Sequence, residues 1–389
     1  MGKKDKNISV EEEVDEAEIE KLAAENANKP APQLTKEDLE AIDNIEPGTS
    51  RLAIIGKMIK KVSIGTDISN ISMPGSFILA KSTLSYFSDN FSSYFGELLK
   101  ANKIDDDLER MLQVCRYLTT TLKETEDTTR KPLNPILGET WQANIQVKDG
   151  DGNEIRDNYF FAEQISHHPP ISSSTVYNKK DGVNCTFCLP VRSQFMGTYV
   201  KISFEGESHI TFEKYNEKFT FVAPPMAVRI FRSFSEYVGK GILKSDKSDY
   251  VIKSNYFAKP LFGGVYNGFE SKVYKGKEKL YKIKGTWSGE MKITNLKTNE
   301  TTVFFNRPRE EATVVFPDTE QTLPTDSSVV WKGVFDAHKR DDVKAMSQEK
   351  VKVEEEQRKL AHQRKNTDEW KPVHFHKVDG RWQLINLKD

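Results

Sequence analysis

The sequence predicts an α+β fold that is mainly β: a large antiparallel sheet or barrel set between helical parts. Three observations predict it. Between about 141 and 305 the chain breaks into short segments rich in Phe, Tyr, Val, Ile and Thr, such as 158–161, 198–204 and 218–222. These residue types suit a pleated, half-buried surface. Turn signals separate the segments: Asp149-Gly150-Asp151-Gly152, Asp181-Gly182, Gly263-Gly264 and Asn267-Gly268. They recur about every 8 to 12 residues, as in an antiparallel meander. On either side of this region apolar residues recur at helical spacing instead.

The elements follow in order. Residues 1–48 are polar and acidic, with Glu11-Glu12-Glu13-Val14-Asp15-Glu16 as the densest run. They bury little and are expected to form a disordered tail. The 389 residues suffice for one large domain or two ordinary ones. In 51–64, Leu52, Ile55, Ile59 and Val62 recur at helical spacing, while Lys57, Lys60 and Lys61 lie mostly off that face. Such a basic amphipathic helix either packs on a core or visits a membrane surface. Residues 77–123 read as helical, with Leu108, Met111, Leu112, Cys115 and Leu118 as the core stripe. The β region is expected over 131–305. A C-terminal helical part over 326–389 holds a helix at 330–364, broken at 339–342, and then a short aromatic tail.

Composition excludes several classes. The 57 basic and 58 acidic side chains nearly cancel, so no global field draws the chain to nucleic acid. Three cysteines, Cys115, Cys185 and Cys188, are too few for a disulfide framework and suit a reducing cytosol. Cys185 and Cys188 have no second pair to complete a zinc site, and residues three apart on a strand face opposite ways. No apolar run approaches the ~20 residues of a membrane span, and no signal peptide is read.

Three stretches carry chemistry. Glu163-Gln164-Ile165-Ser166-His167-His168-Pro169-Pro170 sets two imidazoles before two prolines. The prolines remove two backbone donors and exclude helix, so both imidazoles serve one ligand only if the chain bends, as at a strand end. A strand-ending turn with surface histidines is the plainer alternative. Lys131-Pro132-Leu133-Asn134-Pro135-Ile136-Leu137-Gly138-Glu139 fixes Lys131 and Asn134 on a constrained turn, or else is a rigid connector. Lys350, Glu354 and Arg358 fall at i, i+4 and i+8 and share one helix face, which by itself is also an ordinary surface ladder.

In this order the three stretches closely resemble those of the oxysterol-binding-protein-related family of lipid-exchange proteins, over about 51–360. Trp141 and Gly285-Thr286-Trp287-Ser288-Gly289 are similar to family features as well. The resemblance implies a large incomplete antiparallel β-barrel enclosing a lipid tunnel, with an N-terminal lid and flanking helices. It implies that 49–389 is a single lipid-binding domain. Lys131, Asn134, His167, His168, Lys350 and Arg358 match the motif for the phosphatidylinositol 4-phosphate head group, and Glu354 matches the acid that orients the cations. The lid corresponds to the helix of Leu52, Ile55, Ile59 and Lys60, expected to touch membranes. Ser193 sits where members that bind phosphatidylserine place a serine. Sterol is the other common second lipid, although Thr125-Glu126 stands where a Gln-Tyr pair is expected in sterol binders. The expected protein is a cytosolic, monomeric carrier in transient contact with membranes, with no cofactor and no metal. A lipid-dependent sensor or adaptor at membrane contacts is the alternative. A hydrolase is disfavoured, because no Gly-x-Ser-x-Gly elbow and no His-Glu-x-x-His motif occurs.

Overall fold

A computed structural model describes residues 51–385, apart from 60–61, 70–72, 74, 149–151, 168, 309–312, 316–321, 365–369 and 379. The acidic tail expected at 1–48 lies outside the described residues.

The first helix, α1, is Arg51–Ile59, and a 3₁₀ turn at Gly75–Phe77 leads into strand β1, Ile78–Ser82. Three helices follow: α2 (Thr83–Ser92), α3 (Phe95–Ala101) and α4 (Asp107–Thr120). The starts of α2 and α4 are capped as the sequence dictates. Ser82 Oγ accepts from Leu84 N and Asp106 from Glu109 N, satisfying amide groups that a helix end leaves open. Strand β2 (Lys131–Leu133) pairs in parallel with β1.

The large sheet is a ladder of antiparallel strands: β3 (Thr140–Lys148), β5 (Asn158–His167), β6 (Pro170–Asn178) and β7 (Val183–Phe195) pair in turn. The two-residue β4 (Glu154–Ile155) pairs with the end of β3. The first part of β7 pairs with β9 (Ser208–Phe212), and β9 pairs with β10 (Glu217–Val222). The ladder then continues through β13 (Gly239–Ser245), β14 (Tyr250–Phe257), β15 (Gly268–Lys275), β16 (Glu278–Thr286), β17 (Glu290–Asn295) and β18 (Thr301–Asn306). The last part of β7 leaves this sheet for β8 (Val200–Phe204), which pairs with β11 (Met226–Arg229) and through it with β12 (Phe234–Tyr237). Strand β19 (Thr313–Val315) flanks β3 on its other side. The sheet thus curls round, and among the described residues no pairing joins β18 to β19, so the barrel stays incomplete there, as the resemblance implied.

Alternation gives the sheet an inner face. On β3, Ala143, Ile145 and Val147 are buried and their neighbours are not; on β10, Phe219 and Phe221 point in. Helix α2 packs against β3, β5 and β6, α3 against β3, and α4 reaches β14, so one continuous apolar core joins helices and sheet. Helices α5 (Ser327–Val330), α6 (Lys332–Lys339) and α7 (Val343–Gln363) follow, and a hairpin of β20 (Phe375–Val378) and β21 (Arg381–Leu384) ends the described chain.

Four expectations are corrected. Residues 78–82 are a strand rather than helix, because pairing with β2 satisfies their backbone. Residues 131–133 belong to that small sheet and not to the barrel. The barrel extends past 305, since β19 completes the edge of β3. The end of the chain is not helical throughout: β20 and β21 lay Phe375, Leu384 and Trp382 on Ile165, Phe161 and Cys188 outside the sheet. The break expected at 339–342 is present, with Asp341 at φ 54° and Asp342 capping α7. Cys185 is buried in the inner core and Cys188 packs on the outer cluster, on opposite faces as expected.

Candidate functional site

A cavity of about 320 Å³ opens beneath α1. Ile55 and Val62 roof it, and Phe87, Phe91, Phe187 and Phe221 line its apolar body. Phe91 stacks on Phe187 with ring centroids 3.5 Å apart, and Phe187 meets Phe221 edge-on at 5.5 Å. Polar side chains enter the lining where 121–135 passes the opening, with Thr125, Thr129, Lys131 and Asn134 among them.

The roof is held at both ends. Arg51 Nε donates to Thr129 Oγ1 at 2.9 Å, and its guanidinium lies 3.3 Å from Asp127. After α1 the chain laces onto the end of β7: Gly65 N donates to Phe195 O at 2.7 Å, Phe195 N to Thr66 O at 3.0 Å and Ile68 N to Ser193 O at 2.8 Å. Gly65 has φ +84°, a conformation that costs glycine little. The sequence stripe is met only in part. Ile55 is buried, Leu52 half-buried, and Ile54, outside the stripe, is buried too. Ile59 closes the helix, and Lys60 lies outside the described residues.

At the opening the structure gathers three of the expected head-group residues. Lys350 Nζ lies 2.6 Å from Glu354 Oε1, and Lys350 is only 5% exposed although it sits on a long outer helix. Both groups act on Lys131. Burial pushes the Lys131 ammonium down to about 8, the Lys350 charge pushes it the same way, and Glu354 opposes. Asn134 lines the same cavity one turn of chain further on. His167 ends β5 opposite Pro170, and the flanking Gln164, Pro170 and Ser172 line the cavity. Ser172 Oγ donates to Gln164 Oε1 at 2.5 Å, and Ser166 Oγ to Pro169 O at 2.7 Å. Arg358 is exposed two turns along α7 from Lys350. His168 lies outside the described residues. Ser193 lines the cavity, and its N–H is bonded to Ser69 Oγ at 2.8 Å.

Helix α7 reaches the opening because a glycine lets it. A Cβ on Gly75 would stand 2.6 Å from Val343 O, and Gly75 N donates to Ser347 Oγ at 2.8 Å. A residue that the motifs contained without a role organises the rest. Glu139 is buried and accepts from Ser82 Oγ (2.5 Å), Ser327 Oγ (2.6 Å), Trp331 Nε1 (2.9 Å) and Ile136 N (3.0 Å). Its carboxyl is raised by burial against those four bonds. It ties the 131–139 turn to α2, α5 and α6. Glu163, at the other motif, accepts from Val373 N and His374 N at 2.8 and 2.9 Å and straps the C-terminal hairpin across β5. Sequence reasoning also missed the four phenylalanines individually. Phe87 and Phe91 at i, i+4 on α2 were the available signal.

The profile of the oxysterol-binding protein family matches residues 55–341, close to three quarters of the chain. The chain belongs to the oxysterol-binding protein family. Oxysterol-binding protein 1 of Dictyostelium discoideum is 90% identical over 389 residues, covering 100% of both chains. Oxysterol-binding protein 3 of the same organism is 38% identical over 397 residues, again 100% of both. Among solved structures, the Osh3 ORD from Saccharomyces cerevisiae in complex with PI(4)P superposes with TM-score 0.62 at 20% identity, covering 87% of this chain and 91% of that one. The Osh1 ORD in complex with cholesterol gives TM-score 0.67 at 18% identity, covering 95% and 94%. At such identities these two share the fold. Like them, this family member presents a mostly β architecture, and no helix among its described residues is long and apolar enough to cross a membrane.

Proposed function

We propose that this protein is a lipid transfer protein that binds phosphatidylinositol 4-phosphate and exchanges it for a second lipid, a sterol or phosphatidylserine, between membranes. The carrying observation is the apolar cavity with Lys131 at its opening beside the Lys350–Glu354 pair. An ammonium whose charge is opposed by burial and by a second ammonium nearby is costly without a ligand, and a bound anion relieves that cost. A phosphorylated inositol carries about −3 charge or more near neutral pH. Lys131 and Lys350 supply point charges, Asn134 neutral donors, His167 and His168 switchable donors, and Arg358 a planar fork at the outer edge. Glu354 orients the cations. The acyl chains occupy the phenylalanine-lined body, where burial at about 25 cal/mol per Å² offsets much of the cost of leaving a bilayer. Two solved relatives of the same fold support the reading, one in complex with PI(4)P and one with cholesterol. Ser193 and Thr125 are among the polar side chains of the lining, and on this reading they touch the second lipid.

Donor and acceptor liposomes test the proposal. The protein is expected to extract labelled phosphatidylinositol 4-phosphate and deliver it unchanged, as read by mass spectrometry. Replacing His167 and His168 together by Ala is expected to abolish extraction and to spare a second ligand held by the apolar body alone. Wild-type protein that neither extracts nor moves the lipid refutes the reading.

The same geometry sets a pH window. Below about 6 the phosphate monoester loses its second charge. Above about 8 the free protein's Lys131 loses its proton. The bound phosphate stabilises the charged lysine, so binding takes up a proton at alkaline pH. Affinity for phosphatidylinositol 4-phosphate is therefore expected to peak between these values and to fall as pH rises past about 8. A titration by fluorescence or calorimetry at several pH values checks it, and a flat alkaline limb counts against Lys131 as a contact.

A further inference from the structure

Strand β5 does not run regularly to His167. As far as Gln164 it pairs residue for residue with β6, Gln164 lying opposite Ser172. Ser166 then lies opposite Ile171, so Ile165 has no counterpart on β6 and forms a bulge. A bulge bends its strand and re-aims the side chains beside it. The direction in which His167 leaves β5 therefore depends on how 164–166 is held.

The bulge is held from both faces. Gln164, which lines the cavity, accepts from Ser172 Oγ at 2.5 Å, and its Nε2 donates to Ser166 O at 2.9 Å. On the outer side Ile165 is buried against Phe375 and Leu384 of the C-terminal hairpin. The chain entering that hairpin is fastened next to the bulge. Glu163, with no exposure, accepts from Val373 N at 2.8 Å and from His374 N at 2.9 Å, and the His374 ring lies 4.8 Å from that of Phe161. A buried carboxylate is costly unless its oxygens are bonded, and each oxygen of Glu163 is bonded to this one segment.

The same segment reaches the other turn. A Cβ on Gly138 would stand 3.5 Å from Cζ2 of Trp370, so the indole lies against the turn that follows Lys131 and Asn134. That turn is joined to β5 at a single residue. Gly138 N donates to Gln164 O at 2.9 Å, and Gln164 N donates to Glu139 O at 2.8 Å. Residues 370–374 thus run behind both stretches that carry head-group residues, touching each within one residue of Gln164 or of its backbone partners.

We propose that residues 370–374 are a brace that sets the aim of His167 and the place of the turn of Lys131 and Asn134, with Glu163 and Trp370 as positioning residues. The C-terminal hairpin then takes part in recognising the phosphorylated head group, although it lies outside the sheet. The proposal rests on the carrier reading for the identity of that ligand. A mere cover over an apolar outer face would act differently: its loss would weaken the fold and every ligand alike. A brace sets only the polar end of the cavity, so its loss separates the head group from the apolar body.

Trp370→Ala and Glu163→Gln, each in the whole chain, are compared with the wild type. Glu163→Gln keeps one acceptor and turns an NH2 group towards the other amide. Trp370 is only half-buried, so Trp370→Ala is expected to fold and melt with the wild type and carries the test by itself where the buried Gln does not fold. Extraction of phosphatidylinositol 4-phosphate from liposomes is expected to weaken about tenfold in each variant, the size usual when a group that orients a ligating side chain is removed. Loading of a fluorescent sterol or of phosphatidylserine, whichever the wild type takes up, is expected to stay unchanged. Hydrogen exchange at 136–140 and 163–167 is expected to quicken in both variants with no lipid present. Trp370→Phe, which keeps a ring at Gly138, is expected to behave as the wild type. Exchange or extraction that matches the wild type in Trp370→Ala overturns the proposal, as does an equal fall in loading of the second lipid or a Phe variant as weak as the Ala one. Wild-type protein that extracts no phosphatidylinositol 4-phosphate refutes the carrier reading and the proposal with it, whereas normal wild-type extraction with unaffected variants removes the brace alone.

Discussion

Lys131→Met is expected to raise stability while removing phosphatidylinositol 4-phosphate binding. The wild-type ammonium sits in a half-buried place beside Lys350, and its proton affinity falls to about 8. An unfolded lysine titrates near 10.4. The sign follows from that difference. The folded state binds the proton more weakly than the unfolded state, so the charged lysine opposes folding below about 8, and stability recovers as pH rises from there towards 10.4. The cost near pH 7 is at most about 3 kcal/mol, and solvent at the opening screens part of it. Methionine keeps the length and apolar stem without the charge. The melting temperature is therefore expected to rise by a few degrees. Binding is expected to fall at least tenfold, because a hydrogen bond to a charged group contributes about 1.5–3 kcal/mol. Calorimetry and vesicle extraction on the same preparation check both halves. A variant that melts below the wild type, or extracts the lipid as well, refutes the assignment of Lys131 to the head group.

The opposed signs are the useful part. A residue kept for packing loses stability and function together, whereas a residue held in place for a ligand loses function and relaxes the fold. Lys350 gives the complementary control. Its charge is paired with Glu354 at 2.6 Å, so Lys350→Met leaves a carboxylate at the opening without its nearest cation and is not expected to stabilise.

Some of this arrangement was legible in the sequence because it is local. Two prolines forbid helix at 169–170, and β5 ends at His167 with β6 starting at Pro170. Spacing of four puts Lys350 and Glu354 on one helical face, and they pair. Residues three apart on a strand separate, and Cys185 and Cys188 do. What was not legible depends on partners far along the chain. Ile78–Ser82 becomes a strand only because Lys131–Leu133 lies beside it, and nothing in its own five residues announces that. Helix α7 meets the cavity opening through Gly75, whose lack of a side chain permits a contact 272 residues away. Glu139 looked like punctuation after a glycine, and its four donors come from positions 82, 136, 327 and 331. The barrel end at β19 and the hairpin of β20 and β21 were missed because such short strands carry little periodicity of their own.

Arg110→Met carries the largest expected effect on stability. The Arg110 guanidinium has no exposure at all, and Nε donates to Glu217 Oε2 at 2.6 Å. It also donates to Ile104 O, Asp105 O and Asp107 Oδ1, and it stacks 4.0 Å above the Tyr215 ring. The net worth of such a buried pair is small, because desolvating two ions offsets most of their attraction. Breaking it is another matter. With Arg110 gone, Glu217 keeps only the Ser245 hydroxyl at 2.5 Å among these polar contacts and stays buried on β10. A loss of about 3–5 kcal/mol is expected. Arg110→Met/Glu217→Gln removes both charges and is expected to recover most of it, which denaturant unfolding of the three proteins measures. Near-equal destabilisation in the single and double variants contradicts the account, since the penalty then does not come from the stranded carboxylate. Arg110 lies at the start of α4, and the same run of chain reaches the cavity lining only at Thr121 and Leu122. The folded fraction of each variant is therefore expected to extract lipid normally. Stability anchored at Arg110 and ligand binding at Lys131 are then separable, so the charges at the cavity opening remain free to answer to a ligand rather than to the fold.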